Sequence, residues 1–180
     1  DTILLPEGTT SGKDILGFPL THTNNGWLNL SGSEYVDLGA AMSFANDFSF
    51  EWWQKYSDGA WLGIAGLDAT DGILIKSTGT LQVRIDDGTG DDLSFTDSRG
   101  GWHHFVLIRS TDTLNLYRDG VIDVSESATA AGNFEVRYIG AFYAGSSHFK
   151  GSLDEVKIYN RALSEPEIEK NYKHGKSKHS

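Results

Sequence analysis

Trp53 closes a run, Phe48-Ser49-Phe50-Glu51-Trp52-Trp53, that alternates apolar and polar residues until its last two positions. A strand sends successive side chains to opposite faces. With Phe48, Phe50 and Trp52 turned to a core, Glu51, Trp53 and Lys55 must turn out. An exposed indole among planar polar groups can stack on a sugar ring and hydrogen-bond its hydroxyls. The same alternation in Leu81-Gln82-Val83-Arg84-Ile85-Asp86 turns Gln82, Arg84 and Asp86 outward. Tyr138 is a further candidate, because Gly140 beside it has no side chain and leaves room for a ligand.

Metal and acid–base chemistry have fewer candidates. Asp68, Asp71, Asp86, Asp87, Asp91 and Asp92 crowd two loops. Calcium takes six to eight oxygens, so a rim calcium at Asp68, Asp71, Asp86 and Asp87 is one reading, and plain turn-capping is the other. His103 and His104 are strand neighbours and diverge rather than chelate. Retaining glycoside hydrolysis needs two carboxylates about 5 Å apart on one side of the substrate. Asp154-Glu155 cannot provide them, since adjacent strand residues face opposite ways. No H-E-x-x-H or G-x-S-x-G occurs either. The chain reads as a non-enzyme, with a polysaccharide-active hydrolase or lyase as the residual alternative.

The elements that must hold these residues are strands. Leu114-Asn115-Leu116-Tyr117 alternates, and Phe105-Val106-Leu107-Ile108 is continuously apolar, as in a central strand covered on both sides. Asp58-Gly59, Asp71-Gly72, Asp87-Gly88 and Asp119-Gly120 lie between such runs, and Asp-Gly suits the positive φ of hairpin turns. The expected class is all-β, a two-sheet antiparallel sandwich or barrel. One helix is signalled. Ser164-Glu165-Pro166-Glu167 is a capping box, and Ile168 and Tyr172, four apart, would face the sandwich over about two turns. Residues 1–169 read as one domain, and 170–180, basic and polar, as a disordered tail.

Composition narrows the partners. The 180 residues carry a net charge of −10, with a pI near 4.9, which argues against nucleic acid. No apolar run approaches a membrane span. Zero cysteines read against a disulfide framework, a structural zinc site and thiol catalysis. Asn29-Leu30-Ser31 is a formal glycosylation sequon.

The stretch Phe149-Lys150-Gly151-Ser152-Leu153-Asp154-Glu155-Val156-Lys157-Ile158-Tyr159-Asn160-Arg161-Ala162-Leu163-Ser164 resembles the closing strand of the concanavalin A-like jelly rolls, in their laminin-G-like and pentraxin-like branch. Asp47 to Trp53, Gly101-Trp102-His103-His104, Leu116 to Gly120 and Tyr138-Ile139-Gly140 resemble its upstream strands, in order. The resemblance implies a jelly-roll sandwich with one concave and one convex face. It implies a structural Ca2+ at Asp154, and a concave face carrying Trp53 with Glu51, Gln82, Arg84 and Tyr138. Trp27 and Trp102 are expected in the core or at its rim. The family's glucanase branch uses E-x-D-x-x-E, and no E-x-D occurs here. The leading expectation is a non-catalytic module on the outside of a cell or virion that binds a glycan or another surface ligand. The alternative is a structural or adhesive unit that contacts neighbouring chains as a homo-oligomer or fibre.

Overall fold

The computed structural model describes residues 3–4, 26–45, 47–57, 59–77, 80–86, 91–95, 99–111, 113–127, 132–144 and 146–180. The strands are β1 (Ile3–Leu4), β2 (Leu28–Ser31), β3 (Val36–Phe44), β4 (Phe48–Lys55), β5 (Leu62–Gly66), β6 (Gly72–Ser77), β7 (Thr80–Arg84) and β8 (Asp91–Ser94). They continue with β9 (His103–Ser110), β10 (Thr113–Arg118), β11 (Val121–Ser127), β12 (Phe134–Ile139), β13 (Ala141–Tyr143), β14 (Ser146–His148) and β15 (Lys150–Tyr159). Helix α1 spans Glu165–Lys176. One antiparallel sheet runs β1-β15-β4-β9-β10-β11, with β2 also paired to β15. The other runs β3-β12-β5-β6-β7-β8, and β13 and β14 form a separate hairpin. The expected all-β, two-sheet antiparallel sandwich with one C-terminal helix is what forms.

Alternation decides which side chains meet between the sheets. Phe48, Phe50 and Trp52 of β4 join Phe105 and Leu107 of β9, and Ile73, Ile75, Leu81 and Val83 of the opposite sheet, in one core. The apolar run in β9 has a second use. Val106 and Ile108 point away from that core and pack with Tyr117, Leu163 and Ile168 beneath α1. The strand is covered on both sides, as its composition requires.

Two turns can be checked against their residues. Asp119 and Gly120 take φ of 52° and 84°, the two left-handed residues of a tight β10–β11 hairpin. Asp119 also accepts the His104 amide at 3.1 Å and meets His103 Nδ1 at 2.7 Å, tying the turn to the start of β9. Leu67 to Asp71 reverses the chain between β5 and β6, closed by the Leu67 amide on the Asp71 carbonyl at 3.1 Å. Asp58, Asp87 and Gly88 lie outside the described residues.

The C-terminal segment differs from expectation. The capping box forms, with Glu167 Oε2 accepting the Ser164 amide at 2.9 Å and hydroxyl at 2.7 Å. The helix then runs to Lys176 rather than stopping after two turns, and residues 170–180 are docked rather than disordered. The groups that dock them are Asn171, Tyr172, Gly175 and His179. None is aliphatic, so the segment reads as a solvated tail.

Candidate functional site

Glu51, Trp53 and Lys55 share the outer face of β4, as alternation requires, but α1 and the residues after it roof the first two. Trp53 is 2% exposed. His179 stacks on its ring at 4.1 Å and 8°, Tyr172 stacks at 5.9 Å, and Gly175 lies flat against the indole. The expected exposed platform at Trp53 is therefore corrected. Its covering comes from a segment that carries few apolar residues to betray it.

Glu51 is fully buried and accepts four hydrogen bonds. Oε1 takes His104 Nε2 and Lys157 Nζ, both at 3.1 Å. Oε2 takes the Tyr159 hydroxyl at 3.0 Å and Asn171 Nδ2 at 2.9 Å. Burial pushes its carboxyl up, but the His104 hydrogen bond and the Lys157 charge outweigh this and hold it below the usual carboxylate range. Glu51 beside His104 has the residue types of an acid–base pair. Sealed at 0% exposure, it pins β4, β9, β15 and α1 together instead.

Gln82 and Arg84 lie in the other sheet, so the five expected ligand residues do not share a face. β4 and β7 belong to opposite layers. Tyr138, Gly66, Gly72 and Arg84 are successive cross-strand partners from β12 to β7. That places Tyr138 and Arg84 in one row, three strand spacings or about 14 Å apart. The space between them is occupied. The β13–β14 hairpin lies on the sheet, and Phe142 fills the trench left by Gly63, Gly66 and Gly72. A Cβ on Gly72 would come within 2.5 Å of the Phe142 ring. Arg84 sits over Phe142 at 5.1 Å and donates to Gln82 Oε1 at 3.0 Å and to the Ala69 carbonyl at 2.8 Å. Gln82 donates to Asp92 at 2.8 Å, and Lys76 meets the same carboxylate at 2.6 Å. The outcome is a self-satisfied polar strip beside a filled trench. Tyr138, 9% exposed, packs edge-on to Tyr35 at 5.3 Å.

The rim aspartates serve the backbone. Asp68 Oδ1 accepts the Thr70 amide at 2.7 Å and its hydroxyl at 2.6 Å. Asp71, 3% exposed, accepts the amides of Asp86 at 3.2 Å and Glu135 at 3.1 Å, joining the β5–β6 loop, the end of β7 and β12. Burial raises its carboxyl above the ordinary value despite these bonds. Asp68, Asp71 and Asp86 converge on no common point, and Asp87 lies outside the described residues. Among the described residues, one group of three metal-capable side chains converges: Asp154, Glu155 and His179, with ligand atoms within 4.8 Å of one another. The two neighbouring carboxylates meet, against the expected alternation, because the β15 register shifts there and Glu155 takes a φ of 45°. Asp154 Oδ1 accepts its neighbour's amide at 2.8 Å, and Oδ2 faces His179 Nε2 at 2.9 Å. Glu155 is engaged by Lys178 at 3.0 Å and Lys157 at 3.3 Å. An imidazole nitrogen in this set does not fit the oxygen-only shell of calcium.

One step beyond the roof, the same face of β4 opens. Lys55 emerges into a cleft of about 310 Å³, lined by Trp27, Lys55, Tyr56, Ser57, Gly100, Trp102, Gly151 and Ser152. Trp27 precedes β2 and Trp102 precedes β9, and β15 and β4 lie between those strands, so both indoles stand at one end of the sheet. They meet edge-to-face at 5.3 Å, and each is only partly buried. Ser152 is the cross-strand partner of Lys55, and a Cβ on Gly100 would meet nothing within 4 Å. The cleft therefore offers one aromatic wall of two touching indoles, with an ammonium and two hydroxyls beside an open floor. The sequence reading passed over it. The available signal was that each tryptophan follows a glycine immediately before a strand, the position of a rim residue.

Comparison with known proteins places this geometry. A laminin-G-type family described as the concanavalin A-like lectin/glucanases superfamily matches residues 30–169. No curated protein matches the chain. Among solved structures, domain 4 of an extracellular GH43 arabinanase from Geobacillus stearothermophilus, determined with arabinotriose, is similar at 19% identity and a TM-score of 0.66, over 94% of this chain and 86% of that one. The CBM40 of the Ruminococcus gnavus IT-sialidase, bound to α2,3-sialyllactose, is similar at 15% identity and a TM-score of 0.59, over 81% and 96%. The botulinum neurotoxin serotype G binding domain is similar at 12% identity and a TM-score of 0.55, over 88% of this chain. The chain spans 49% of that toxin domain's length. At these identities the likenesses establish the fold, and most of these structures are binding domains. With the family match covering most of its length, the chain belongs to the concanavalin A-like lectin/glucanase superfamily.

Proposed function

We propose that the chain is a carbohydrate-binding module that works outside the cell and takes a sugar in the cleft that Trp27 and Trp102 line. The observation that carries the reading is the pair of partly exposed indoles with Lys55, Ser57 and Ser152 beside them. Stacking needs an accessible ring face, and hydroxyl recognition needs donors and acceptors fixed around it. The solved relatives that hold arabinotriose and sialyllactose support carbohydrate as the ligand class. The extracellular setting rests on similarity to a domain of an extracellular arabinanase. No turnover of polysaccharides is expected, since the buried Glu51 and His104 cannot reach a substrate.

The test is a glycan array followed by calorimetric titration of the hits. Trp27→Ala and Trp102→Ala should each weaken binding by about 1–3 kcal/mol, the worth of one aromatic contact and its buried area. Trp27→Ala is the cleaner variant, because Trp102 also touches His179 at 4.7 Å. Full affinity in both variants would remove the cleft from the account.

A second reading has its own observation. Val121 is 67% exposed and Ile122 51%, on β11 at the edge of the seven-stranded sheet. An apolar edge strand can pair with another chain, so the structural or adhesive alternative predicts oligomers. Light scattering after size exclusion decides it, and a monomer at every concentration would set it aside.

A further inference from the structure

We infer that the C-terminal clasp is a binding site for a divalent transition-metal ion of the zinc type, held by His179 Nε2, Asp154 and Glu155. The inference is independent of what the cleft binds. His179 Nδ1 lies 2.8 Å from the Gly175 carbonyl, which can only accept, so that nitrogen carries a proton. Nε2 then points at Asp154 Oδ2 at 2.9 Å, and a carboxylate also only accepts. A lone pair and an anionic oxygen cannot face each other at that distance alone. A proton or a metal ion must lie between them. One ring N–H on a backbone carbonyl, with the other nitrogen turned to carboxylates, is the orientation of a metal-ligating histidine.

The ring is already immobilised. It stacks on Trp53 at 4.1 Å and meets Trp102 edge-on at 4.7 Å, and its side chain is 1% exposed. The donor set also selects the metal. One imidazole nitrogen with two carboxylates suits a four-coordinate ion of the zinc class, with water in the fourth position. Zinc sites built from thiolates are closed to a chain without cysteine, but this donor set needs none. Lys157 and Lys178 both face Glu155 and lower the charge available to the ion. Each carboxylate oxygen has two lone-pair sites, so Glu155 can keep a lysine and still ligate.

The experiment adds zinc chloride to the full chain near neutral pH, read by calorimetry and thermal melting, with calcium and magnesium chloride as comparisons. Zinc should bind at one equivalent and raise the melting temperature by about 3 °C or more at saturation, and calcium and magnesium should not. Cobalt(II) should give the visible absorption of a four-coordinate site. His179→Ala should abolish the zinc increment, although it also loosens the docked helix. Asp154→Asn separates the two effects. Its amide N–H can donate to the bare Nε2 and keep the clasp closed, while zinc affinity should fall at least tenfold. His174→Ala should retain the increment. Zinc that leaves the melting temperature unchanged, or raises it equally in Asp154→Asn and His179→Ala, overturns the inference.

Discussion

Trp53 shows how one residue can obey its strand and still escape a reading of the sequence. Alternation placed it outward, and it is outward; the ring that covers it is a histidine 126 positions later in the chain. Removing the indole leaves a void under Gly175, Tyr172 and His179. Trp53→Ala should therefore cost about 3–5 kcal/mol, as much as Trp52→Ala in the main core. Urea denaturation of both variants checks this, and a native-like midpoint for Trp53→Ala alone would contradict the roof. Gly175 is the complementary test. A Cβ there would lie 2.6 Å from Trp53 Nε1. In an exposed helix Gly→Ala gains up to about 1 kcal/mol, but here overpacking should make the change destabilising by roughly 1–3 kcal/mol in the same denaturation series. The fold was legible because its long alternating runs, its Asp119-Gly120 turn and its Ser164 capping box are local signals. The site was not, because the covering of Trp53, the filling of the glycine trench by Phe142 and the meeting of Trp27 with Trp102 are contacts between distant parts of the chain.

Among the elements, α1 carries the most consequence, since it decides which part of the β4 face stays open. Its hold on the sheet is apolar through Val106, Ile108, Leu163 and Ile168, and polar through the Asn171 amide donating to the Glu51 carboxylate. The polar part has a defined sign with pH. Glu51 is held below its ordinary range, so its contribution is present above the unfolded value and lost as pH falls through the lower folded one. Glu167, drawn down to about 2 by Arg161 and the Ser164 cap, behaves alike, so the cap persists to strong acid. Asp71 acts in the opposite sense: its raised value gives stability below the ordinary carboxylate range that fades as pH rises. Tryptophan fluorescence followed down an acid titration should report Trp53 unroofing only below about pH 4.5, the ordinary glutamate value, because Glu51 is held under it. Glu51→Gln should shift that change to higher pH, and an identical acid profile in this variant would contradict the role given to Glu51.

At the scale of the whole molecule, both outer faces of the sandwich are partly covered, one by α1 and one by the β13–β14 hairpin. The strip of Arg84, Gln82, Asp92 and Lys76 has spent its hydrogen bonds on itself. Among the described residues, the cleft at the end of β4 brings aromatic surface and polar groups together and leaves them open. Ligand entry there is tested by titrating the isotope-labelled chain with a glycan hit, followed through the five tryptophan indole N–H signals and the backbone amides. A ligand in the cleft should give saturable shifts of the Trp27 and Trp102 indoles and of the Ser57, Gly100 and Ser152 amides, with the Trp52 indole and the Gln82 and Arg84 amides unmoved. Shifts confined to Gln82, Arg84 and Tyr138, with the Trp27 and Trp102 indoles still, would contradict it.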